Sequence, residues 1–183
     1  MVVVPRFLLR DYNEADECSV NELALSAFEQ YSSEYEDWEG FSRKISQISK
    51  LTGSSELIVA ETGSKIVGAI GYVGPNKSKA EFFKPEWAVI RMLVVSPESR
   101  GKGIGRALTN MCLNRAERDQ SEMLALHTSK IMSVALAMYL KMGFVFYSEA
   151  PDIHGVKYGV YTKELLANKV NPADPMPQAV LRY

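Results

Sequence analysis

Residues 87–95 read WAVIRMLVV, an apolar run interrupted only by Arg91. A strand with one wet face alternates apolar and polar residues, so a run of this kind belongs to a strand covered on both faces. It demands a layer above the sheet and a layer below it. Four residues later comes RGKGIGRAL, and from Ile104 the apolar residues Ala107, Leu108, Met111, Cys112 and Ala116 keep helical spacing. A buried strand, a glycine-rich turn and a helix therefore follow one another directly.

The rest of the chain supplies the layers. A short opening strand is expected over 6–10. Asn13 or Asp16 is placed to cap a helix that carries Val20, Leu23, Ala24, Ala27 and Phe28 on one face. A second helical pattern spans 41–51. Two β-rich runs flank Thr62-Gly63-Ser64 as a hairpin. Then follow a polar stretch over 76–86, strands at 87–95 and 123–127, and a helix over 133–142. Gly143 is positioned as its left-handed cap, and two last strands span 144–148 and 156–165. This order implies an α/β (α+β) fold, a mixed sheet with helices on both faces. One domain over 1–166 and an extended C-terminal tail over 167–183 are expected.

Composition excludes several classes. With 183 residues, 46% hydrophobic, and a net charge of -1, the chain lacks the basic excess of a nucleic-acid binder. No apolar run approaches the roughly 20 residues of a membrane helix. The opening MVVVPRFLL is too short for a secretory core and is broken by Pro5 and Arg6. Cys18 and Cys112 make no metal-ligand spacing, so reduced thiols in a cytoplasmic protein are expected, with no metal.

The glycine stretch reads as an anion site. The first N–H groups of a helix have no internal partner and carry partial positive charge. Glycine lets phosphate approach the backbone and permits positive φ, while Arg100, Lys102 and Arg106 add charge. The spacing is G-x-G-x-G. It fits neither the triphosphate loop G-x-x-x-x-G-K-[ST] nor the dinucleotide fingerprint G-x-G-x-x-G.

With these residues in place, VVSPESRGKGIGRAL resembles the acetyl-CoA signature of the GNAT superfamily of N-acetyltransferases, [QR]-x-x-G-x-[GA], matched by Arg100 to Gly105. Independently, AMYLKMGF at 137–144 is similar to the late L-Y-x-K-x-G-F segment of that superfamily. The resemblance spans about Arg6 to Leu165. It implies a mostly antiparallel sheet in which the strands AVIRMLVV and EMLALHT run parallel but splay apart. Pantetheine would add to the first strand at Leu93, Val94 and Val95. The amides of Arg100, Gly101, Lys102, Gly103, Ile104, Gly105 and Arg106 would hold the pyrophosphate. A bulge within 91–95 would aim a free N–H at the thioester carbonyl.

The resemblance also implies catalytic roles. Tyr139 would face the cleft and give a proton to the departing thiolate. Many relatives carry a glutamate on the strand before the glycine loop; here that carboxylate is missing and Arg91 stands near its place. Glu86 and His154 are the candidates for the base, and His127 reads as structural. Relatives often have asparagine where Met132 stands, which leaves Ser129, Lys130 or Ser133 to supply its polar contact. Residues 11–42 hold ten acidic residues and no lysine or arginine. In relatives this segment walls the acceptor site. That reading gives a pocket for a cationic amine, with Tyr31, Tyr35, Trp38 and Phe41 as apolar walls; a solvated helix face is the alternative. The implied activity is direct transfer of acetyl from acetyl-CoA to an amine of a small molecule, peptide or protein. An acyl-CoA-binding module without turnover and a nucleotide-dependent enzyme are the rival readings. Edge strands could pair two chains into a homodimer.

Overall fold

The doubly covered run becomes β4 (Ala88–Val95), the fourth strand of a seven-stranded sheet. The computed structural model describes residues 7–165, so the expected tail lies outside the described residues. Ahead of β4 come β1 (Leu8–Asp11), α1 (Glu17–Phe28), α2 (Trp38–Ile45), β2 (Glu56–Thr62) and β3 (Lys65–Val73). After it come α3 (Ile104–Arg118), β5 (Met123–Thr128), α4 (Ser133–Lys141), β6 (Val145–Ile153) and β7 (Val156–Glu164). The sheet order is β1-β2-β3-β4-β5-β7-β6. Every neighbouring pair is antiparallel except β4–β5. No helix among the described residues is long and apolar enough to cross a membrane.

Each face carries its own core. Val20, Leu23, Ala24, Phe28 and Phe41 of α1 and α2 pack against Val59, Ala69, Val89, Val94 and Ala125. Ile104, Leu108, Cys112 and Tyr139 of α3 and α4 pack against Ile58, Ile70, Ile90, Leu124 and Leu126. Alternate residues of β4 thus feed opposite layers, as the period of a strand requires.

Three expectations need correction. The second helix stops at Ile45, and Ile48–Gly53 is a separate 3-10 segment. Asp37 fixes its start by accepting from the Gly40 amide, and the Ser46 hydroxyl turns back onto the Arg43 carbonyl, competing with helix continuation. Neither Asn13 nor Asp16 caps α1 through its side chain. Asn13 caps the one-turn segment before it, and the Asp16 carboxylate is taken by the Asn13 amide and Arg10. The β6–β7 hairpin is longer than expected at its first strand, because β6 continues through two register shifts to Ile153.

Gly143 behaves as expected, with φ 89°. Its N–H bonds the Leu140 carbonyl and that of Phe144 bonds the Tyr139 carbonyl, the paired bonds of a Schellman ending. The accompanying apolar contact is Phe144 edge-on to Tyr139, centroids 5.5 Å apart.

Candidate active site

The parallel pair β4–β5 is bonded only at Ala88–Leu124 and Val89–Ala125. Beyond Val89 the two strands part, while β4 stays bonded to β3 on its other edge. The β3–β4 register shifts between Ala69 and Gly71, so two residues of β4, Met92 and Leu93, oppose Ile70 alone. Met92 takes φ 52° there, a left-handed conformation that costs a non-glycine residue energy. The outer edge of β4 past Val89 therefore offers backbone donors and acceptors to something other than β5.

β4 leads through the turn Pro97–Ser99 into the glycine loop. Gly101 has φ 74° and Gly103 has φ 82°. A Cβ at either position would meet no protein atom within 4 Å, so open space borders both. Gly103 occupies the N-cap of α3 and no side chain caps that helix. The first intrahelical bond here is Ala107 N–H to the Gly103 carbonyl, which leaves the amides of Ile104, Gly105 and Arg106 for a ligand. Arg100 donates to the Ala27 carbonyl at 3.0 Å and pins the loop to the end of α1.

These parts form one cleft of about 340 Å³. Leu93, Val94, Val95, Arg100, Gly101, Gly103, Ile104, Gly105 and Arg106 line it. Lys102 does not; it is exposed and donates to the Glu98 carbonyl. The opposite wall comes from the end of α1, with Phe28, Gln30 and Tyr31, and from α4, with Met132, Val134, Ala135 and Met138. Apart from Tyr31 and Met132, these walls were not singled out from the sequence. An apolar residue at helical spacing looks the same whether it faces a core or a cleft.

The catalytic candidates are placed differently from expectation. Tyr139 does not line the cleft. It lies one helical turn beyond Ala135, is 4% exposed, and packs with Cys112 and Leu108 of α3. Burial raises its pKa well above the ordinary phenol range, with Cys112 adding to the effect. Glu86 is exposed ahead of β4. It is seven residues from Leu93, about 23 Å along an extended strand, out of reach of the bulge. His154 sits in the β6–β7 turn with φ 46°, its Nδ1 3.2 Å from Asp37 and its ring 5.9 Å from Phe41. It joins two surface segments and does not line the cleft.

Of the two readings of the acidic segment, the solvated face fits this structure better than the pocket. Asp11 pairs with Arg115, Asp16 with Arg10, Asp37 with His154 and Glu39 with Arg43. None of its carboxylates lines the cleft. Tyr35 stacks on Phe41 at 4.0 Å, with Trp38 tilted against both, so these rings mainly pack on one another. Met132 takes the position where relatives carry asparagine and is buried, while the Ser129 hydroxyl accepts from the Ile131 amide.

A parted parallel pair, a bulged strand and an uncapped helix after a glycine loop thus meet at one cleft. Residues 18–144 match the model of the acetyltransferase (GNAT) family, and the chain belongs to that family. It is 36% identical over 86 residues to N-acetyltransferase family 8 member 3 of Rattus norvegicus; the match covers 47% of this chain and 36% of that relative. The paia N-acetyltransferase of Thermoplasma acidophilum, solved with coenzyme A, superposes with a TM-score of 0.69 at 20% identity, over 87% of this chain and 99% of that one. The yncA structure of Salmonella typhimurium, solved with its cofactor acetyl-CoA, gives 0.65 at 15% identity, over 91% and 98%. These structures share the mixed sheet with its single parallel pair.

Proposed function

We propose that this chain transfers an acetyl group directly from acetyl-CoA to a primary amine. One observation carries the reading: the free edge of β4 and the uncapped N-terminus of α3 open into the same cleft. Acetyl-CoA, when bound, supplies an activated acetyl thioester and a thiol leaving group. The amides of Ile104, Gly105 and Arg106, with Arg100 and Arg106 nearby, suit its pyrophosphate. Leu93 to Val95 offer the extended edge that a pantetheine amide chain can extend.

The chain's own groups then have defined tasks. The bulge at Met92–Leu93 presents an N–H toward the carbonyl oxygen that gains charge, preorganised before reaction. Among the described residues no carboxylate or imidazole lines the cleft, so the acceptor enters as free amine, a minor fraction at neutral pH. Tyr139 gives its proton to the departing sulfur. Its phenol is held neutral by burial one helical turn beyond the wall residue Ala135, and its side chain must turn from that position to reach the sulfur. A catalytic hydrogen bond is often misaligned until the reacting complex forms. No cysteine nucleophile enters: Cys112 is buried and its thiol is pushed up to about 12 by that burial.

The same lack of a lining base favours one competing reading, an acyl-CoA-binding module without turnover. A calorimetric titration with acetyl-CoA, run beside thiol release over mixed amine pools, separates the two. Binding with amine-dependent thiol release is the expected result. Binding without release across all pools would leave the binding module.

A further inference from the structure

Arg91 is the one charge in the apolar run of β4. Val89 belongs to the core under α1 and α2, so Arg91, two residues on, faces the same side. On β5, Ala125 belongs to that core and His127 follows two residues later. The last bonded pair between the strands is Val89–Ala125. Carrying that parallel register forward sets Arg91 opposite His127, at the point where the strands separate. The charge of Arg91 acts on His127, in agreement with this placement.

Both side chains are half-buried beyond the lining of the cleft, and both lack partners. Among the described residues Arg91 makes no ion pair and no hydrogen bond, and burial alone perturbs it, downward. His127 Nδ1 is buried with no hydrogen-bond partner. Its ring is enclosed by Phe82, Phe83 and Tyr158, with centroids 5.5, 5.9 and 5.4 Å away. The Tyr158 hydroxyl is already engaged, 2.6 Å from that of Tyr35. Burial, with the charge of Arg91 assisting, pushes the His127 pKa down to about 4, so the ring is neutral at physiological pH. A guanidinium out of water without an anion is costly. An orphaned ring nitrogen beside it adds to the cost. Both costs fall if an anionic ligand group binds between the parted strands.

We infer that Arg91 and His127 form the acceptor-recognition site and that they take a carboxylate. The guanidinium is a planar fork that matches a carboxylate bidentately, and the neutral imidazole offers one further hydrogen bond. Arg91 is adjacent to the bulge at Met92–Leu93, so the carboxylate and the attacking amine must lie close together in one molecule. The preferred acceptor is therefore an amino acid or a similarly compact amino carboxylate, with its apolar part against Phe82 and Phe83. This inference rests on the acetyltransferase reading above and specifies its acceptor.

The test compares a series of amino acids with their carboxamides and their aminophosphonate analogues, measuring kcat/KM by thiol release. The carboxylate form should be preferred over the carboxamide by about 10²-fold, the scale of one charged bidentate contact. Arg91→Met should abolish that preference through KM while leaving the acetyl-CoA dissociation constant unchanged. Arg91→Lys should keep part of it, and His127→Phe should weaken it several-fold. Binding of N-acetyl amino acids in the presence of CoA, by calorimetry, gives a readout that does not need turnover and should be lost in Arg91→Met. Equal use of acid and amide by the wild type, a preference for the phosphonate, or an Arg91→Met variant that retains the acid preference would each overturn the inference. A protein that binds no acetyl-CoA would instead remove the underlying activity.

Discussion

The acidic segment of residues 11–42 and the basic cleft around β4 and α3 make opposite use of charge. The segment is rich in carboxylates, yet Asp11, Asp16, Asp37 and Glu39 are held by cations or an imidazole away from the cleft. The cleft has few charges, but Arg100 and Arg106 line it without a carboxylate partner among the described residues, and Arg91 stands unpaired where β4 leaves β5. Paired surface charge adds little. Unpaired charge beside open backbone amides is a standing demand for an anion. Counting charge along the sequence points to a cationic ligand; following the partners in space points to anionic ones.

The largest effect that sharpens this contrast comes from the cleft backbone. Gly103→Val should raise the CoA dissociation constant by 10²-fold or more while far-UV circular dichroism stays native. The cost does not come from a clash within the protein, because a Cβ at Gly103 meets nothing within 4 Å. It comes from a β-branched residue at φ 82° and from a side chain standing where phosphate approaches. Unchanged CoA binding in the folded variant would remove the anion site from the basic side of the comparison.

Next is Tyr139→Phe. If the phenol protonates the departing thiolate, kcat should fall by about 10²-fold with CoA affinity within twofold of wild type. The Phe144 contact and the Schellman ending survive in the variant, since they use the ring and the backbone. A near-normal kcat would reduce Tyr139 to a core residue packed with Cys112.

Much of this was legible in the sequence because it rests on local requirements. WAVIRMLVV announced a doubly covered strand, the alternate glycines announced a bare helix start, and Gly143 announced a helix end. Each is a demand that a short stretch makes of its own backbone. What was not legible depends on neighbours far along the chain. The engagement of Asp11 by Arg115 and of His154 by Asp37, and the packing of Tyr139 with Cys112, are set by contacts across the sheet and between helices. So is the placement of Arg91 against His127, which needs the β4–β5 register. Residue type suggested a base at Glu86 and at His154; only their positions in the fold exclude them from the cleft.

A pH profile tests the same contrast with a smaller effect. With no carboxylate or imidazole lining the cleft among the described residues, kcat/KM should rise about tenfold per pH unit from pH 6 until the pKa of the acceptor amine is reached. His127 is neutral above about 4 and adds no limb in this range. Tyr139 is raised above the ordinary phenol range, so it stays protonated throughout. A plateau beginning near pH 7 would reveal an enzyme base and return attention to the groups at the rim. His127 also leaves a mark on stability. Its folded pKa lies below the unfolded value near 6.5, so the unfolded state binds more protons between the two. Stability should fall as pH drops from about 6.5 toward 4, and the His127→Phe variant should show a shallower fall.

The smallest effect belongs to the acidic side, and its smallness is the point. Asp37 accepts from the Gly40 amide, which with the nearby His154 holds its carboxyl below the usual carboxylate range. That contribution is present above the ordinary carboxylate pKa and fades as the pH falls through the lowered one. Asp37→Asn keeps a good helix cap, because the amide oxygen can still accept from Gly40. It removes only the carboxylate in contact with the His154 imidazole. The melting temperature should shift by less than about 2 °C, as for other surface changes of this kind. Acceptor KM should stay within twofold of wild type, with the same dependence on ionic strength. If the acidic segment instead formed a pocket for a cationic amine, removing this charge would raise KM several-fold for cationic acceptors at low salt, and the difference would vanish at high salt. That outcome would overturn the division between an acidic segment whose carboxylates stay outside the cleft and an unpaired basic cleft.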